Sequence, residues 1–147
     1  MQIRKMKSGD YDTVYDLWVN TPCVGLNDFD DSREGIIKYL CRNPDTCFVS
    51  EHQDTVTGVI LSGHDGRRGY IYHMAVRVSA RRQGIGRALV RCAMNALEQE
   101  GIQKVAFVVF TDNTGGNEFW EKCGFVVRDD LHYRNQYISK VLDTLKP

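Results

Sequence analysis

The stretch that decides the fold is "RVSARRQGIGRALVRCAMNALEQEG", residues 77–101. From Ile85 to Glu100, the side chains of Ile85, Leu89, Cys92, Ala93, Ala96 and Leu97 fall on one stripe of a 3.6-residue helix. Gly101 supplies its stop. "GYIYHMAVRV" (69–78) reads as a strand, so "RRQGIGR" is a strand-to-helix turn. Arg77, Arg81, Arg82, Arg87 and Arg91 surround it. Unpaired backbone N–H groups at a helix start point at an approaching anion. Gly84 and Gly86 lack a Cβ, so the backbone can turn tightly and come close to a ligand. Several N–H bonds to a charged acceptor, at about 1.5–3 kcal/mol each, outweigh the roughly 0.3–1 kcal/mol of the helix dipole. The expected ligand bears phosphate and is held mostly by backbone. Taken alone, the same residues also describe a tight turn before a solvated basic helix face. A P-loop is excluded, and a dinucleotide fingerprint would need glycine where Leu89 stands.

Working outward, residues 2–6 make a short strand, and Ser8 caps a helix carrying Tyr11, Val14, Tyr15, Trp18 and Val19 at helical spacing. Asn20–Asp31 is a loop rich in turn residues. A second helix starts near Ser32, carries Ile36, Ile37 and Leu40 on one face, and stops before Asn43–Pro44. "TCFVSEH" and "TGVILSG" are strands preceding "GYIYHMAVRV", and "KVAFVVF" (104–110) reads as a strand covered on both faces. A short helix spans about Gly116 to Cys123, and strands near 125–128 and 136–142 close the chain. The order, β-α-α-β-β-β-α-β-α-β-β, belongs to one mixed α/β (α+β) domain over residues 1–147.

Composition narrows the function. Nineteen basic residues balance nineteen acidic ones, so no global field draws the chain to nucleic acid or an anionic membrane. The five cysteines lie at irregular spacings with no CxxC pair, and the four histidines form no HxxxH, so no metal site is expected. The cysteines read as reduced thiols, most of them small core residues, of a cytoplasmic protein. The N-terminus is too charged for a signal peptide, and the longest apolar run is too short to span a bilayer.

The triplet Met74-Ala75-Val76 followed by Arg81-Arg82-Gln83-Gly84-Ile85-Gly86 resembles the acetyl-CoA-binding motif of the GNAT superfamily of N-acetyltransferases. A second signature of that superfamily is matched by Asn113, Gly116, Phe119, Trp120, Gly124 and Phe125. The resemblance implies a mixed central sheet of about six to seven strands with about four helices, splayed between the fourth and fifth strands. It also implies direct acetyl transfer from acetyl-CoA to a primary amine of a small molecule or a peptide terminus. No metal takes part, and a homodimer stays open. By the same resemblance the coenzyme's pyrophosphate rests on Arg82 through Arg87, with Arg81, Gln83, Gly84, Ile85 and Gly86 shaping the turn. The pantetheine arm pairs with Met74, Ala75 and Val76, and Asn113 contacts the coenzyme unless it caps the following helix.

This chain departs from the family in its acid and its base. Many members carry a tyrosine where Trp120 stands, and an indole cannot protonate a departing thiolate. Trp120 is expected to pack, against the pantetheine. Catalysis then falls to the Val76 N–H as oxyanion donor, to Tyr70 and Tyr72 on the cleft face, and to His73, the base by residue type. Strand alternation, however, sets His73 with Ile71 and Ala75 on the opposite face. Without a clear base, an α-amine at pKa about 7.7–8.0 is favoured over a lysine at about 10.4. Asp28, with Asp30 and Asp31, would attract a cationic amine, aided by Phe29 and Trp18, with Tyr133 on an opposite wall. The plainer reading is a solvated loop with Asp31 or Ser32 capping the second helix. Trp120 and the missing base also leave room for a weak or inactive acyl-CoA sensor.

Overall fold

The computed structural model describes residues 1–139, and the chain divides into two compact units, Met1–Val108 and a second beginning at Val109. The first holds β1 (Gln2–Lys5), a 3₁₀ turn (Ser8–Asp10), α1 (Tyr11–Val19), α2 (Arg33–Arg42), β2 (Phe48–His52), β3 (Thr55–His64), β4 (Gly69–Val76), α3 (Ile85–Gln99) and β5 (Val105–Ala106). The second holds α4 (Thr114–Lys122). The sheet runs β1-β2-β3-β4-β5, antiparallel throughout except for the parallel β4–β5 pair.

The central strand shows why the sequence folds this way. β3 is buried on both faces from Val56 to Gly63, with an apolar centre at Val59, Ile60 and Leu61 and the small or polar Thr57, Gly58, Ser62 and Gly63 around it. Val59 and Leu61 join one layer with Val14, Leu17 and Trp18 of α1 and Ile36 and Leu40 of α2. Gly58 faces the other way, toward Leu89 and Ile85 of α3. Each such aliphatic side chain, fully buried, contributes about 1.5–3 kcal/mol. Arg4 clasps the edge: its guanidinium donates to Asp10 at 2.8 and 2.9 Å and to Glu51 at 3.2 Å. That bond to Arg4 is the main cause holding the Asp10 carboxyl below its ordinary value.

Four expectations are corrected. The sheet has five strands among the described residues rather than six or seven. "KVAFVVF" pairs only through Val105 and Ala106, and Val108 is 59% exposed, so the run is not covered on both faces. Residues 125–128 form no strand, residues 136–139 form none, and 140–142 lie outside the described residues. β-branched composition favours an extended chain, but a strand also needs a partner. Of the cysteines only Cys47 is buried, its thiol pushed up to about 12 by burial, whereas Cys23 and Cys41 are exposed and Cys92 and Cys123 half-buried. No helix among the described residues is long and apolar enough to cross a membrane.

Candidate active site

The turn between β4 and α3 is built from local conformation. A 3₁₀ turn at Val78–Ala80 leads to Arg82 at φ +65° and Gly84 at φ +78°, both left-handed. Glycine takes that conformation without strain; for arginine it costs roughly 1–2 kcal/mol. No side chain caps α3, and its first internal bond runs from the Ala88 N–H to the Gly84 carbonyl at 3.1 Å. The N–H groups of Ile85, Gly86 and Arg87 therefore point out of the helix end. Ile85 is buried and anchors the turn, while Arg81, Arg82, Gln83 and Arg87 are exposed around it. Nothing lies within 4 Å of where a Cβ on Gly84 would sit, so this face of the turn is open. A row of backbone donors ringed by guanidinium groups fits a diphosphate.

β4 supplies a second backbone surface. The Arg77 N–H donates to the Thr57 carbonyl at 2.8 Å, which makes Arg77 and Thr57 a hydrogen-bonded pair. Antiparallel pairs alternate, so the next pair, Val76 and Gly58, is not bonded, and the Val76 N–H and carbonyl point to the opposite edge of β4. On that edge the parallel ladder to β5 covers only Gly69 and Tyr70. Beyond Tyr70 no ladder joins β4 to β5, at the place where the resemblance implies a splay.

The β3–β4 ladder contains a bulge that the sequence does not show. Val59 opposes Ala75 and Leu61 opposes Tyr72, so His73 and Met74 share the single partner Ile60. Tyr72 and Ala75 thereby face the same layer, and the simple alternation fails. His73 takes φ +45° at this point, a strained conformation for a residue with a side chain. The bulge is held from α1, where the Trp18 indole N–H donates to the His73 carbonyl at 2.9 Å. The His73 imidazole is not in the opposite layer. It lies edge-on to Trp18 at 5.2 Å, near Tyr72 at 6.1 Å, with Nε2 at 2.9 Å from Asp31 Oδ1.

Asp31 belongs to a tightly built loop. Its other oxygen, Oδ2, accepts the Asn27 N–H at 2.8 Å, and Tyr11 Oη donates to its backbone carbonyl at 2.8 Å. The Asn27 side chain accepts from the N–H groups of Phe29 and Asp30, and Ser32 Oγ caps α2 through the Gly35 N–H at 3.1 Å. A Cβ on Gly35 would sit 2.3 Å from the Asp30 carbonyl oxygen, so only glycine lets α2 dock this closely on the loop. Ser32, not Asp31, is the cap. The partnership of Asp31 with His73 is the feature sequence reasoning misses, since it joins residues 42 apart through a bulge.

The remaining candidates are placed as follows. Tyr70 and Tyr72 lie on one face with ring centroids 4.6 Å apart and planes tilted by 43°, and Tyr39 of α2 meets Tyr72 edge-on at 5.8 Å. Asp28 and Phe29 are exposed on the loop. Trp18, expected on an acceptor wall, is 1% exposed and supports the bulge from the core instead. Tyr133, in the second unit, is exposed. Asn113 Oδ1 accepts the Gly116 N–H at 2.9 Å, so Asn113 caps α4. Trp120 is buried edge-on between Phe119 at 5.1 Å and Phe125 at 5.3 Å. Among the described residues no group of three or more His, Cys, Asp or Glu side chains is placed to hold a metal ion.

Similarity to known proteins runs through most of the chain. A profile described as "Acetyltransferase (GNAT) family" matches residues 11–125. An acetyltransferase of Photorhabdus laumondii is 32% identical over 142 residues, 97% of this chain and 96% of that protein. Among solved structures, Ard1 from Thermoplasma volcanium superposes with a TM-score of 0.77 at 23% identity, covering 86% of this chain and 83% of that one. The PaiA N-acetyltransferase from Thermoplasma acidophilum, solved in complex with coenzyme A, gives a TM-score of 0.74 at 18% identity, covering 87% of this chain and 91% of that one.

Proposed function

The chain belongs to the acetyltransferase (GNAT) family, and on that premise we propose that it carries acetyl groups from acetyl-CoA to a primary amine of a small molecule or a peptide terminus. When bound, acetyl-CoA supplies an acetyl group already activated as a thioester. The chain's own residues do the rest. The N–H groups of the Arg82–Arg87 turn bind the diphosphate, and Arg81, Arg82 and Arg87 add charge at its rim. The β4 edge aligns the pantetheine arm along Met74, Ala75 and Val76 by strand-like pairing, the arm taking the place of the Arg81 Nε–H that donates to the Val76 carbonyl at 3.3 Å. The Val76 N–H, on that edge, donates to the carbonyl oxygen as negative charge develops there. Tyr70 and Tyr72 order water on the cleft face, and Asp28 and Phe29 on the neighbouring loop meet a cationic acceptor.

The observation that supports this reading most is the uncapped start of α3 behind a left-handed glycine, within the residues that the family profile matches. A thiol-release assay with acetyl-CoA tests it over a panel of α-amino peptides, alkyl diamines and aminosugars, with the matching alcohols alongside. Release with at least one primary amine, and none with alcohols or buffer alone, is expected. Coenzyme binding without release on any amine, or release only with hydroxyl acceptors, would overturn it.

A further inference from the structure

We infer that Asp31 is the positioning residue of a His73 general base; the inference rests on the amine acetylation proposed above and gives that site the base its sequence lacks. The pair is the one carboxylate–imidazole contact among the described residues that sits at the β4 bulge. Asp31 is 5% exposed, and a buried carboxylate is costly unless each oxygen is bonded. One oxygen accepts the Asn27 N–H, and the other lies 2.9 Å from His73 Nε2. That contact fixes the neutral ring with its proton on Nε2 and its lone pair on Nδ1. The imidazole side chain is 17% exposed beside Tyr72, which is itself 44% exposed, so it reaches the surface of the cleft face.

Three features hold this arrangement where regular strand geometry would not. The bulge turns His73 out of the opposite layer, the Trp18 N–H satisfies the carbonyl so displaced, and Gly35 lets α2 press the Asp31 loop inward. A strained residue kept in place from two other elements is the pattern seen where a side chain must be aimed. The groups facing the ring are Asp31 from the loop, Trp18 from α1 and Tyr72 from β4.

In the transfer step the acceptor nitrogen bonds to the thioester carbon, and its proton passes to His73 Nδ1. The carbon–sulfur bond breaks with its electron pair on sulfur, and the imidazolium returns the proton to that sulfur. An acceptor that arrives as an ammonium ion releases its other proton to water.

The test uses the full chain and its Asp31→Asn, Asp31→Glu and His73→Ala variants, with acetyl-CoA and an alkyl diamine acceptor. Asparagine has one acceptor oxygen for two N–H partners, so its amide turns a donor toward Nε2 and favours the wrong tautomer. Asp31→Asn is expected to lower kcat about 10- to 100-fold with coenzyme affinity by calorimetry unchanged, and Asp31→Glu to regain part of it. His73→Ala is expected to lose about 100-fold and recover partly in buffered imidazole. In the wild type, ¹H–¹⁵N correlation of the ring nitrogens is expected to show the Nε2–H tautomer alone. Asp31→Asn retaining kcat within twofold, or a wild-type ring protonated on Nδ1, would overturn the inference. Absence of thiol release by the wild type with every amine would instead sink the amine reading, and the tautomer would still decide the pair.

Discussion

Gly84→Glu is expected to weaken acetyl-CoA binding at least about 100-fold while leaving the protein folded. Gly84 stands at φ +78°, and nothing lies within 4 Å of where its Cβ would be, so a longer side chain meets open space rather than the core. The folding penalty is then the left-handed backbone, roughly 1–2 kcal/mol. Binding suffers more. The new carboxylate sits over the N–H groups of Ile85, Gly86 and Arg87, where the diphosphate is proposed to rest. Two lost charge-assisted bonds at about 1.5–3 kcal/mol each amount to a factor of about 100 or more. Gly84→Ala separates the two effects, since it carries the strain without the charge. Calorimetric titration with acetyl-CoA, beside thermal unfolding of each variant, reads both. Unchanged affinity in Gly84→Glu would remove the turn from the binding site.

Trp18→Ala is expected to reduce stability by about 3–5 kcal/mol, the usual range for emptying a large buried aromatic site. The side chain is 1% exposed within the layer formed by α1, α2 and the sheet. Its loss also leaves the His73 carbonyl without the indole N–H that holds the bulge. Trp18→Phe keeps most of the volume but not the donor, so it should be milder in stability and still lower acetyl transfer. Urea unfolding curves and thiol-release rates on both variants check this. A Trp18→Phe enzyme with wild-type rates would show that the bulge stands without that bond.

How much of this was legible in the sequence depended on distance along the chain. α3, its glycine turn and the surrounding arginines are written in consecutive residues and were readable as such, as was the paired start of the sheet. The Asn113 cap was legible too, as the plainer of two readings. The bulge was not, because it is set by how β3 aligns with β4, and strand alternation counted from β4 alone puts His73 on the wrong face. Asp31 was legible as a loop carboxylate but not as a partner, since only the bulge brings His73 to it. Trp18 illustrates the converse error: an aromatic beside an acidic loop looks like a pocket wall, yet its helical spacing with Val14 and Leu17 places it in the core. The length of the fifth strand was overread because apolar, β-branched residues record a preference for extended backbone and not the presence of a neighbour.

A crystal structure of the protein with acetyl-CoA bound is the most direct test of the claim that backbone at the start of α3 holds the coenzyme. The expected result places diphosphate oxygens within about 3.2 Å of backbone nitrogens in the Gly84–Arg87 segment. It also runs the pantetheine arm along the β4 edge at Met74–Val76. A coenzyme held elsewhere, or held at this turn by arginine side chains with no backbone N–H in reach, would contradict it.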